Sequence, residues 1–344
     1  MIKIGIIGCG RIAQTRHIPE YASSTDADLY GFFDVNQKRA ESLADQYGGK
    51  VYLSYEEMLE DPEIDAVSVM TPNYTHAEIS IAALRAGKHV LCEKPMAVTL
   101  EECEAMAEAA KLSGKKLMIG QNQRLTPAHK KVKALIESGK IGEVLSFSTV
   151  FAHSGTESWS IDGQNSWFTD KTKSSFGALA DLGIHKTDLI VYLTGVKIVK
   201  VSAVLGTLDK KDGHGNAISV DDNAFCTFIC ENGSIGTMRA SWTNYGKEEN
   251  ITDIYGTKAA VHIYRSKEHA VEVEYKDGTV EYFDLESIQT NDNQTASGMI
   301  DAFIDAIVCD SEPEISAEQV LPAMRAVFAC VESAASGGTL INVK

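Results

Sequence analysis

A glycine-rich turn directly after the first apolar strand constrains the fold of this chain most strongly. The stretch IGIIGCGRIAQTRH carries Gly8, Gly10 and Ala13 in a G-x-G-x-x-A pattern between a strand and a helix. Gly8 permits a tight turn, Gly10 lets the backbone approach a pyrophosphate, and Ala13 lets the helix pack closely on the strand. Taken alone, the motif is also compatible with an ordinary glycine-rich turn, so its interpretation depends on the rest of the chain.

The first 120 residues alternate short apolar strands with helical patterns. Strands are predicted at 2–7, 28–34, 64–70, 88–92 and 115–119. Such alternation is typical of a parallel sheet covered by helices on both faces. Thr99 and Glu102 form a T-x-x-E capping box, which predicts a helix that ends at Gly114.

An acidic residue, Asp34, ends the second predicted strand. A carboxylate at this place accepts hydrogen bonds from ribose hydroxyls and repels a 2′-phosphate. NAD is therefore the expected cofactor, in preference to NADP. Lys38 and Arg39 could weaken that preference, but we interpret them as solvated helix residues.

Two later strand ends also carry polar residues. In TPNYTHAE, after strand 64–70, Thr71, Asn73 and Thr75 suit either cofactor contacts or a turn with a helix cap, and His76 also suits a surface position. In CEKP, after strand 88–92, two charges end a buried strand. Ligands of parallel α/β sheets bind beyond the carboxyl ends of the strands, so both loops are candidates for the cofactor crevice.

The CEKP loop is the more unusual of the two. We expect Lys94 to point into the crevice, and Glu93 either to hold the nicotinamide side or to balance the charge of Lys94. Pro95 would restrict the backbone there, with a cis Lys94–Pro95 bond as a hypothesis. A charged turn with proline as helix punctuation is the simpler alternative.

The pattern changes beyond about residue 123. Pro127 predicts the first position of a helix, and hairpins are predicted around Asn232-Gly233 and Asp277-Gly278. Two helices, at about 296–309 and 317–336, follow. We therefore predict an α/β Rossmann dinucleotide-binding domain at 1–123 and an α+β domain with a mostly antiparallel sheet at 124–344.

The composition limits the partners and the compartment. Lys plus Arg number 32 and Asp plus Glu 48, giving a net charge of −16, which argues against nucleic acid or a membrane as the main partner. Seven cysteines without a CxxC motif predict free thiols in a reducing cytoplasm. The apolar run before Arg11 is too short for a signal peptide or a membrane span.

A second chemical cluster lies in SSFGALADLGIHKTDLIVYLTG. Asp181 and His185, at i and i+4, can share one helix face, and a half-buried histidine near a carboxylate is a suitable general acid–base. From spacing alone, a capping Asp181 and a core His185 are the favoured interpretation. A metal site is weaker because a third ligand is missing, so none is predicted.

Several stretches together resemble one family, the glucose–fructose oxidoreductase / inositol dehydrogenase / MocA-like (Gfo/Idh/MocA) NAD(P)-dependent oxidoreductases. They are GIIGCGRIA, VMTPNYTHAE, VLCEKPMAVTLEE, GQNQRLTPAHKKVKALIESGKIGEV, WFTDKTKSSFGALADLGIHKTDLIVYL and AVFACVESAASGGTLINV. The resemblance covers nearly the whole chain. It implies that the second domain contains a large open-faced sheet, which in this family commonly packs against another subunit, here as a homodimer or homotetramer.

The resemblance also implies roles for individual residues. Lys94 matches the lysine that contacts cofactor and substrate, and Asp181 and His185 match the aspartate and the proposed acid–base histidine of D-x-G-x-H. The implied cofactor contacts are Gly8, Gly10, Arg11, Ile12, Asp34, Thr71, Asn73, His76, Glu93, Lys94 and Gln121. Trp167, Lys94, Asp181 and His185 are the candidate substrate contacts.

The chain departs from the family where Phe176 interrupts a run that often holds three glycines, which puts bulk near the expected substrate pocket. Trp167 suits stacking on a sugar face or on the nicotinamide side and packing under a loop equally well, whereas Arg124 is interpreted as structural. The predicted function is oxidation of a secondary hydroxyl of a cyclic polyol or sugar by NAD, with Lys94 and His185 at the reacting oxygen. The alternatives are a redox-neutral glycoside-cleaving enzyme that acts through a 3-keto sugar, a keto-sugar reductase, and a catalytically silent NAD-binding sensor.

Overall fold

Six parallel strands form the first sheet of the computed structural model, which describes residues 1–286 and 297–344. The strands are β1 Ile2–Ile7, β2 Ala27–Phe33, β3 Lys50–Val51, β4 Ala66–Val69, β5 His89–Cys92 and β6 Leu117–Ile119. Their order is β3-β2-β1-β4-β5-β6, which is the Rossmann order. All four residues of β4 are buried, as expected for a strand that is covered on both faces.

Helices connect these strands. They are α1 Ile18–Ser23, α2 Gln37–Tyr47, α3 Tyr55–Glu60, α4 His76–Arg85 and α5 Leu100–Ser113. A π-helical segment, Ala13–His17, precedes α1. The predicted capping box at the start of α5 is confirmed, with Thr99 accepting from the Glu102 amide, and Gly114 ends this helix in the left-handed conformation.

The five predicted strands of this region are confirmed within about two residues. The structure adds β3, which is only two residues long and pairs with β2 through Gly31 and Phe32. A two-residue strand carries no recognisable periodicity, which explains why β3 was not predicted.

A second, nine-stranded sheet follows. Its strands are β7 Val144–Ala152, β8 Ile198–Gly206, β9 Asn223–Cys230, β10 Ile235–Ser241, β11 Glu249–Gly256, β12 Ala259–Ile263, β13 Val271–Tyr275, β14 Val280–Phe283 and β15 Ile341–Asn342. Their order is β14-β13-β12-β11-β7-β10-β9-β8-β15, and every pair is antiparallel except β7 with β10. Both predicted hairpins, β9–β10 and β13–β14, are confirmed, and so is the predicted fold class.

The remaining helices are α6 Pro127–Glu137, α7 Lys171–Ser174, α8 Ile184–Thr194, α9 Met299–Val308 and α10 Ala317–Ala335. Pro127 occupies the first turn of α6 as predicted. The helix predicted from 296 begins at Met299, and residue 296 itself lies outside the described residues. A π-helical segment, Leu179–Gly183, runs directly into α8.

The chain divides into two compact units, each of which is made of several segments. The predicted division into domains at 1–123 and 124–344 had a single boundary. Among the described residues, the first unit contains Met1–Asn122, Trp159–Ile161 and residues 297–321, and the second contains Gln123–Ser158, residues 162–286 and Pro322–Lys344. The late segment belongs to the first unit because Ile119 donates its amide to Ile315 (3.0 Å) and Ser297 donates to the Glu20 carboxylate (2.8 Å).

Two further observations concern the described residues as a whole. All seven cysteines are free thiols, and only Cys309 is exposed. None of the helices in residues 1–286 and 297–344 is long and apolar enough to cross a membrane.

Candidate active site

The carboxyl ends of five parallel strands lie in one register row in the first unit. Phe33, Ile7, Val69, Cys92 and Ile119 are successive cross-strand partners along that row. The residues that follow them in sequence are the predicted cofactor contacts of the Gly8, Asp34, Thr71, Lys94 and Gln121 loops. The sheet therefore brings these loops to one edge, where α/β proteins bind their ligands.

Gly8 and Asp34 form the turn at the centre of this edge. Gly8 has φ +94°, and a Cβ there would lie 2.6 Å from the Met70 carbonyl oxygen, so only glycine fits. The Asp34 carboxylate accepts the amide of Cys9 at 2.7 Å and the amide of Asn36 at 2.7 Å. Asp34 thus holds the glycine-rich turn against the end of β2, and its partial exposure leaves lone pairs for a further donor.

Gly10 and Gln121 test whether this edge fits a dinucleotide. A Cβ at Gly10 would meet no protein atom within 4 Å, so packing within the protein does not require glycine there. Gln121 is 1% exposed, yet neither its amide nitrogen nor its amide oxygen has a hydrogen-bond partner among the described residues. A glycine that borders open space and a buried amide that lacks partners both fit a polar ligand at this edge.

The other predicted cofactor residues differ in exposure. Arg11 is exposed and Ile12 partly exposed at the start of the first helical segment, whereas Asn73 is 3% exposed. The Thr75 hydroxyl lies 2.7 Å from the Thr71 hydroxyl, which ties the loop to the start of α4. Cofactor binding by Arg11, Ile12, Thr71 and Asn73 stays a prediction.

His76 is buried and joins two loops of the candidate site. Its Nδ1 lies 2.8 Å from the Pro95 carbonyl oxygen, and its Nε2 lies 2.9 Å from the Thr71 carbonyl oxygen. Burial lowers the pKa of His76 and outweighs these contacts, which favour the charged form. The neutral ring donates to only one of the two carbonyls. His76 is thus not the surface residue that the sequence allowed.

Glu93 is held inside the first unit. Its Oε1 accepts from the guanidinium of Arg16 and lies 2.9 Å from Nε2 of His17, while its Oε2 accepts the backbone amide of Lys94 at 3.2 Å. Burial alone would raise the pKa of Glu93, but Arg16, His17 and Lys94 together hold it below its usual range. No local pattern predicted Arg16 or His17 at this site, because their partner is more than 70 positions away.

Lys94 therefore lies between two anchored neighbours. Glu93 precedes it, and Pro95, whose carbonyl contacts His76, follows it through a cis peptide bond, which confirms the hypothesis drawn from the sequence. Lys94 itself is partly exposed, in contrast to Glu93 and Pro95. The loop thus presents one long cationic side chain from a backbone that is held on both sides.

In the second unit, Asp221 anchors the segment that carries Asp181 and His185. The Asp221 carboxylate accepts the amides of Gly177 and Leu179, each at 2.8 Å, and its carbonyl accepts the amide of Ala178 at 2.9 Å. Burial raises the pKa of Asp221, although those amides oppose the shift. A Cβ at Gly177 would lie 1.9 Å from the Asp221 carbonyl oxygen, so this glycine of the family motif is a packing requirement.

Asp181 has partners that the sequence analysis missed. The indole Nε1 of Trp242 donates to its Oδ2 at 3.0 Å, and Nε2 of His153 lies 3.8 Å from the same oxygen. The Gly155 amide donates to Nδ1 of His153 at 2.9 Å, so the neutral ring carries its proton on Nε2, which faces Asp181. Asp181 lies in the π-helical segment and His185 in α8, so the regular i, i+4 helix spacing does not describe this pair.

His185 is 6% exposed and lies beside Phe151, with ring centroids 6.0 Å apart. The same phenylalanine ring contacts His153 at 5.9 Å. One turn further along α8, Asp188 forms a buried bidentate salt bridge with Arg124 (2.7 and 2.6 Å). This contact gives Arg124 the structural role that was predicted for it.

Two aromatic residues of the second unit have packing partners. Trp167 is partly exposed and stacks on Phe168, with ring centroids 3.8 Å apart. Phe176 is 8% exposed and packs edge-to-face on Phe328 of α10 at 5.6 Å. The Phe176 ring is therefore packed in the core of the second unit.

A metal site was not predicted from the sequence. Among residues 1–286 and 297–344, no group of three potential metal ligands occurs.

Family models match most of the chain. Residues 2–121 match the oxidoreductase family with an NAD-binding Rossmann fold, and residues 129–262 match the Gfo/Idh/MocA C-terminal domain. The chain belongs to the Gfo/Idh/MocA family of NAD-binding oxidoreductases, as its motifs indicated.

The similar proteins include dehydrogenases named for sugars. The chain is 34% identical to levoglucosan dehydrogenase of Pseudarthrobacter phenanthrenivorans over 66% of its own length and 63% of the relative's. It is 29% identical to D-glucoside 3-dehydrogenase of Escherichia coli over 98% of its own length and 96% of the relative's. A solved structure of levoglucosan dehydrogenase in complex with NADH and levoglucosan is 27% identical and superposes with a TM-score of 0.86 over 99% of both chains.

Proposed function

We propose that this protein is an NAD-dependent dehydrogenase that oxidises a secondary hydroxyl of a cyclic sugar or polyol. The observation that carries the proposal is the CEKP loop, because it presents Lys94 at the carboxyl edge of a Rossmann sheet from a backbone anchored on both sides. The names of the relatives, which act on levoglucosan and on D-glucosides, support cyclic sugars as the substrate class.

The first unit is assigned to NAD. The helix start at Arg11 and Ile12, together with Gly8 and Gly10, suits the pyrophosphate, and Asp34 suits the ribose hydroxyls. Thr71, Asn73, Glu93 and Gln121 stay proposed contacts or supports on the nicotinamide side. When bound, NAD would supply the acceptor for the hydride of the substrate C–H bond, that is, the hydrogen together with both bonding electrons.

The proton chemistry is assigned to Lys94 and His185. His185 takes the proton of the reacting hydroxyl as a general base. The Lys94 ammonium donates a hydrogen bond to the same oxygen and stabilises the negative charge that develops on it. Asp181, whose Oδ2 accepts from the indole of Trp242, orients the substrate or His185.

A spectrophotometric screen tests the function. Purified protein is mixed with NAD or NADP and with levoglucosan, methyl glucosides, aldoses or inositols, and absorbance at the NADH band is followed. We expect NADH to form with at least one cyclic sugar or polyol, and NADP to react at least about tenfold more slowly because Asp34 repels its 2′-phosphate. The His185→Ala variant is the negative control.

Three outcomes would contradict this proposal. Cleavage of a glycoside without net formation of NADH would favour the redox-neutral glycoside-cleaving enzyme. The absence of any reaction in either direction, while NADH still binds, would favour an NAD-binding sensor. Faster reaction of keto-sugars with NADH than of the alcohols with NAD would identify a reductase.

We also propose that the protein is a homo-oligomer through the exposed face of its nine-stranded sheet. Val204 of β8 and Phe225 of β9 are cross-strand partners that are 64% and 51% exposed, and Ile235 of β10 is 52% exposed. Several large apolar side chains on an exposed sheet, two of them direct cross-strand neighbours, are typical of subunit interfaces. This proposal assigns both substrate binding and oligomerisation to the second unit.

Replacing Phe225 by glutamate is expected to reduce the molar mass measured by light scattering after size exclusion, because a buried carboxylate opposes association. Leu112→Glu is the matched control, since Leu112 is a 78% exposed residue of α5 in the first unit. A wild-type protein that is already monomeric would disprove the proposal. So would an unchanged oligomer of the Phe225→Glu variant.

A further inference from the structure

A buried ion cluster lies directly behind the CEKP loop. Glu93 is 6% exposed, and both oxygens of its carboxylate are bound: Oε1 contacts Arg16 and His17, and Oε2 accepts the Lys94 amide. Its position is confined on another side, because a Cβ at Gly120 would lie 3.0 Å from the carboxylate. The carboxylate therefore has one well-defined place.

The two residues that hold Glu93 are neighbours in sequence. Successive side chains of a regular α-helix diverge by about 100°, so adjacent residues do not normally reach one atom. Arg16 and His17 both contact Oε1 of Glu93, and both belong to the π-helical segment Ala13–His17 that follows the glycine-rich turn. Single turns of π-helix are frequent at functional sites.

We propose that Arg16 and His17 are positioning residues that set the place of Lys94 by acting through Glu93. The helix that follows the glycine-rich turn is thereby joined to the loop that carries the lysine. This inference rests on the proposed function, because it takes Lys94 as the group at the reacting oxygen. It also assigns Glu93 to the support of Lys94.

The cluster makes a specific electrostatic prediction. The titratable and charged groups that face Glu93 are Arg16, His17, Lys94, His76 and Cys92. Without the guanidinium, the burial of the carboxylate is opposed by fewer positive charges, so the pKa of Glu93 rises. In the wild type, the lowered pKa contributes stability that is lost as the pH falls through the folded-state pKa. In Arg16→Met the pKa of Glu93 is lowered less, so this carboxylate contributes less stability above its unfolded-state pKa and less is lost as the pH falls.

Four variants separate positioning from stability. Arg16→Met removes the charge, Arg16→Lys keeps a charge in a different geometry, and Glu93→Gln removes the carboxylate. Arg16→Met with Glu93→Gln removes both members of the pair. Lys88→Met is the matched control. Lys88 is a buried cation that directly precedes β5, whereas Glu93 directly follows this strand, and Lys88 donates to the carbonyls of Asp61 and Ile64.

Three measurements that need no substrate are made on each intact variant, and turnover is measured as a fourth. They are the free energy of unfolding against pH, the affinity for NADH by fluorescence titration, and the rate at which acetic anhydride acetylates Lys94, read by mass spectrometry. Turnover is measured with the cyclic sugar that reacts fastest in the screen described above. The acetylation rate reports the surroundings of Lys94 even where no substrate reacts.

For Arg16→Met we expect kcat to fall about 10- to 100-fold, because small displacements of a catalytic group have effects of this size. The KM for the sugar and the affinity for NADH should stay within about threefold of wild type. The acetylation rate of Lys94 should change, and Arg16→Lys should recover part of the lost kcat. The double variant should lose the part of the pH dependence of stability that Glu93 causes, but its kcat should stay as low as that of Arg16→Met. The Lys88→Met control should lose stability without a loss of kcat.

Recovery of wild-type kcat in the double variant would show that Arg16 acts only on stability, and would overturn the inference. An unchanged acetylation rate of Lys94 in Arg16→Met and in the double variant would also overturn it. Lys94→Met separates this failure from that of the proposed function. If Lys94→Met keeps wild-type turnover, the proposed role of Lys94 is wrong; if it loses turnover while Arg16→Met does not, only the positioning role is wrong.

Discussion

The His185→Ala variant is expected to lose about 10²- to 10⁴-fold of kcat, which is the range for removal of a general base. Lys94→Met should lose about 10²- to 10³-fold, because it keeps the aliphatic stem but removes the cation that stabilises charge on the substrate oxygen. Both variants should bind NADH within about threefold of wild type, so the loss should be confined to turnover.

These two variants are compared by steady-state kinetics on the substrate identified by the screen and by NADH fluorescence titration. His214→Gln serves as the control, because His214 is an exposed turn residue of the second unit. Near wild-type turnover in either variant would remove that residue from the mechanism. A large loss of NADH affinity would instead assign it to cofactor binding.

Replacement by alanine is expected to affect stability at one glycine of the motif and NADH affinity at another. Gly8→Ala should lower the free energy of unfolding by at least about 2 kcal/mol, because a positive φ is unfavourable for alanine and its Cβ would meet the Met70 carbonyl oxygen. Gly10→Ala should leave the free protein within about 0.5 kcal/mol of wild type, since open space surrounds its Cβ.

The affinity for NADH distinguishes the roles of these glycines. In Gly10→Ala the new methyl group occupies the space assigned to the pyrophosphate, so we expect the Kd for NADH to rise at least about tenfold, or ~1.4 kcal/mol. Denaturant titration and fluorescence titration of the same samples provide both measurements. Unchanged NADH affinity in Gly10→Ala would place the pyrophosphate elsewhere, and unchanged stability in Gly8→Ala would contradict the clash.

The edge of the first sheet could be predicted from sequence because its signals are local. Gly8, Asp34 and Lys94 each follow a short apolar run directly, and the ends of parallel strands meet at one edge. The cis bond before Pro95 was likewise suggested by the residues on either side of it. For these features, the identity of residues that are adjacent in sequence was sufficient for the prediction.

The supports of the site could not be predicted because they depend on distant pairs. Trp242 reaches Asp181 across 61 positions, and Arg16 reaches Glu93 across 77. Nothing in the pattern near Trp242 marks it as a partner of a carboxylate. The π-helical segments were also missed, since apolar periodicity does not distinguish a single wider turn from a regular helix.

The bond between Ile119 and Ile315 has a consequence for synthesis of the protein on the ribosome. The outer strand β6 meets its partner 196 positions later (315 minus 119), so the first unit cannot be completed until most of the chain has emerged. Until then, β6 presents unpaired backbone groups, which are a template for association with other chains. The first unit, which is synthesised first, therefore completes its fold only late in synthesis. A nascent or truncated chain that lacks the segment around Ile315 exposes the edge of β6 to other chains.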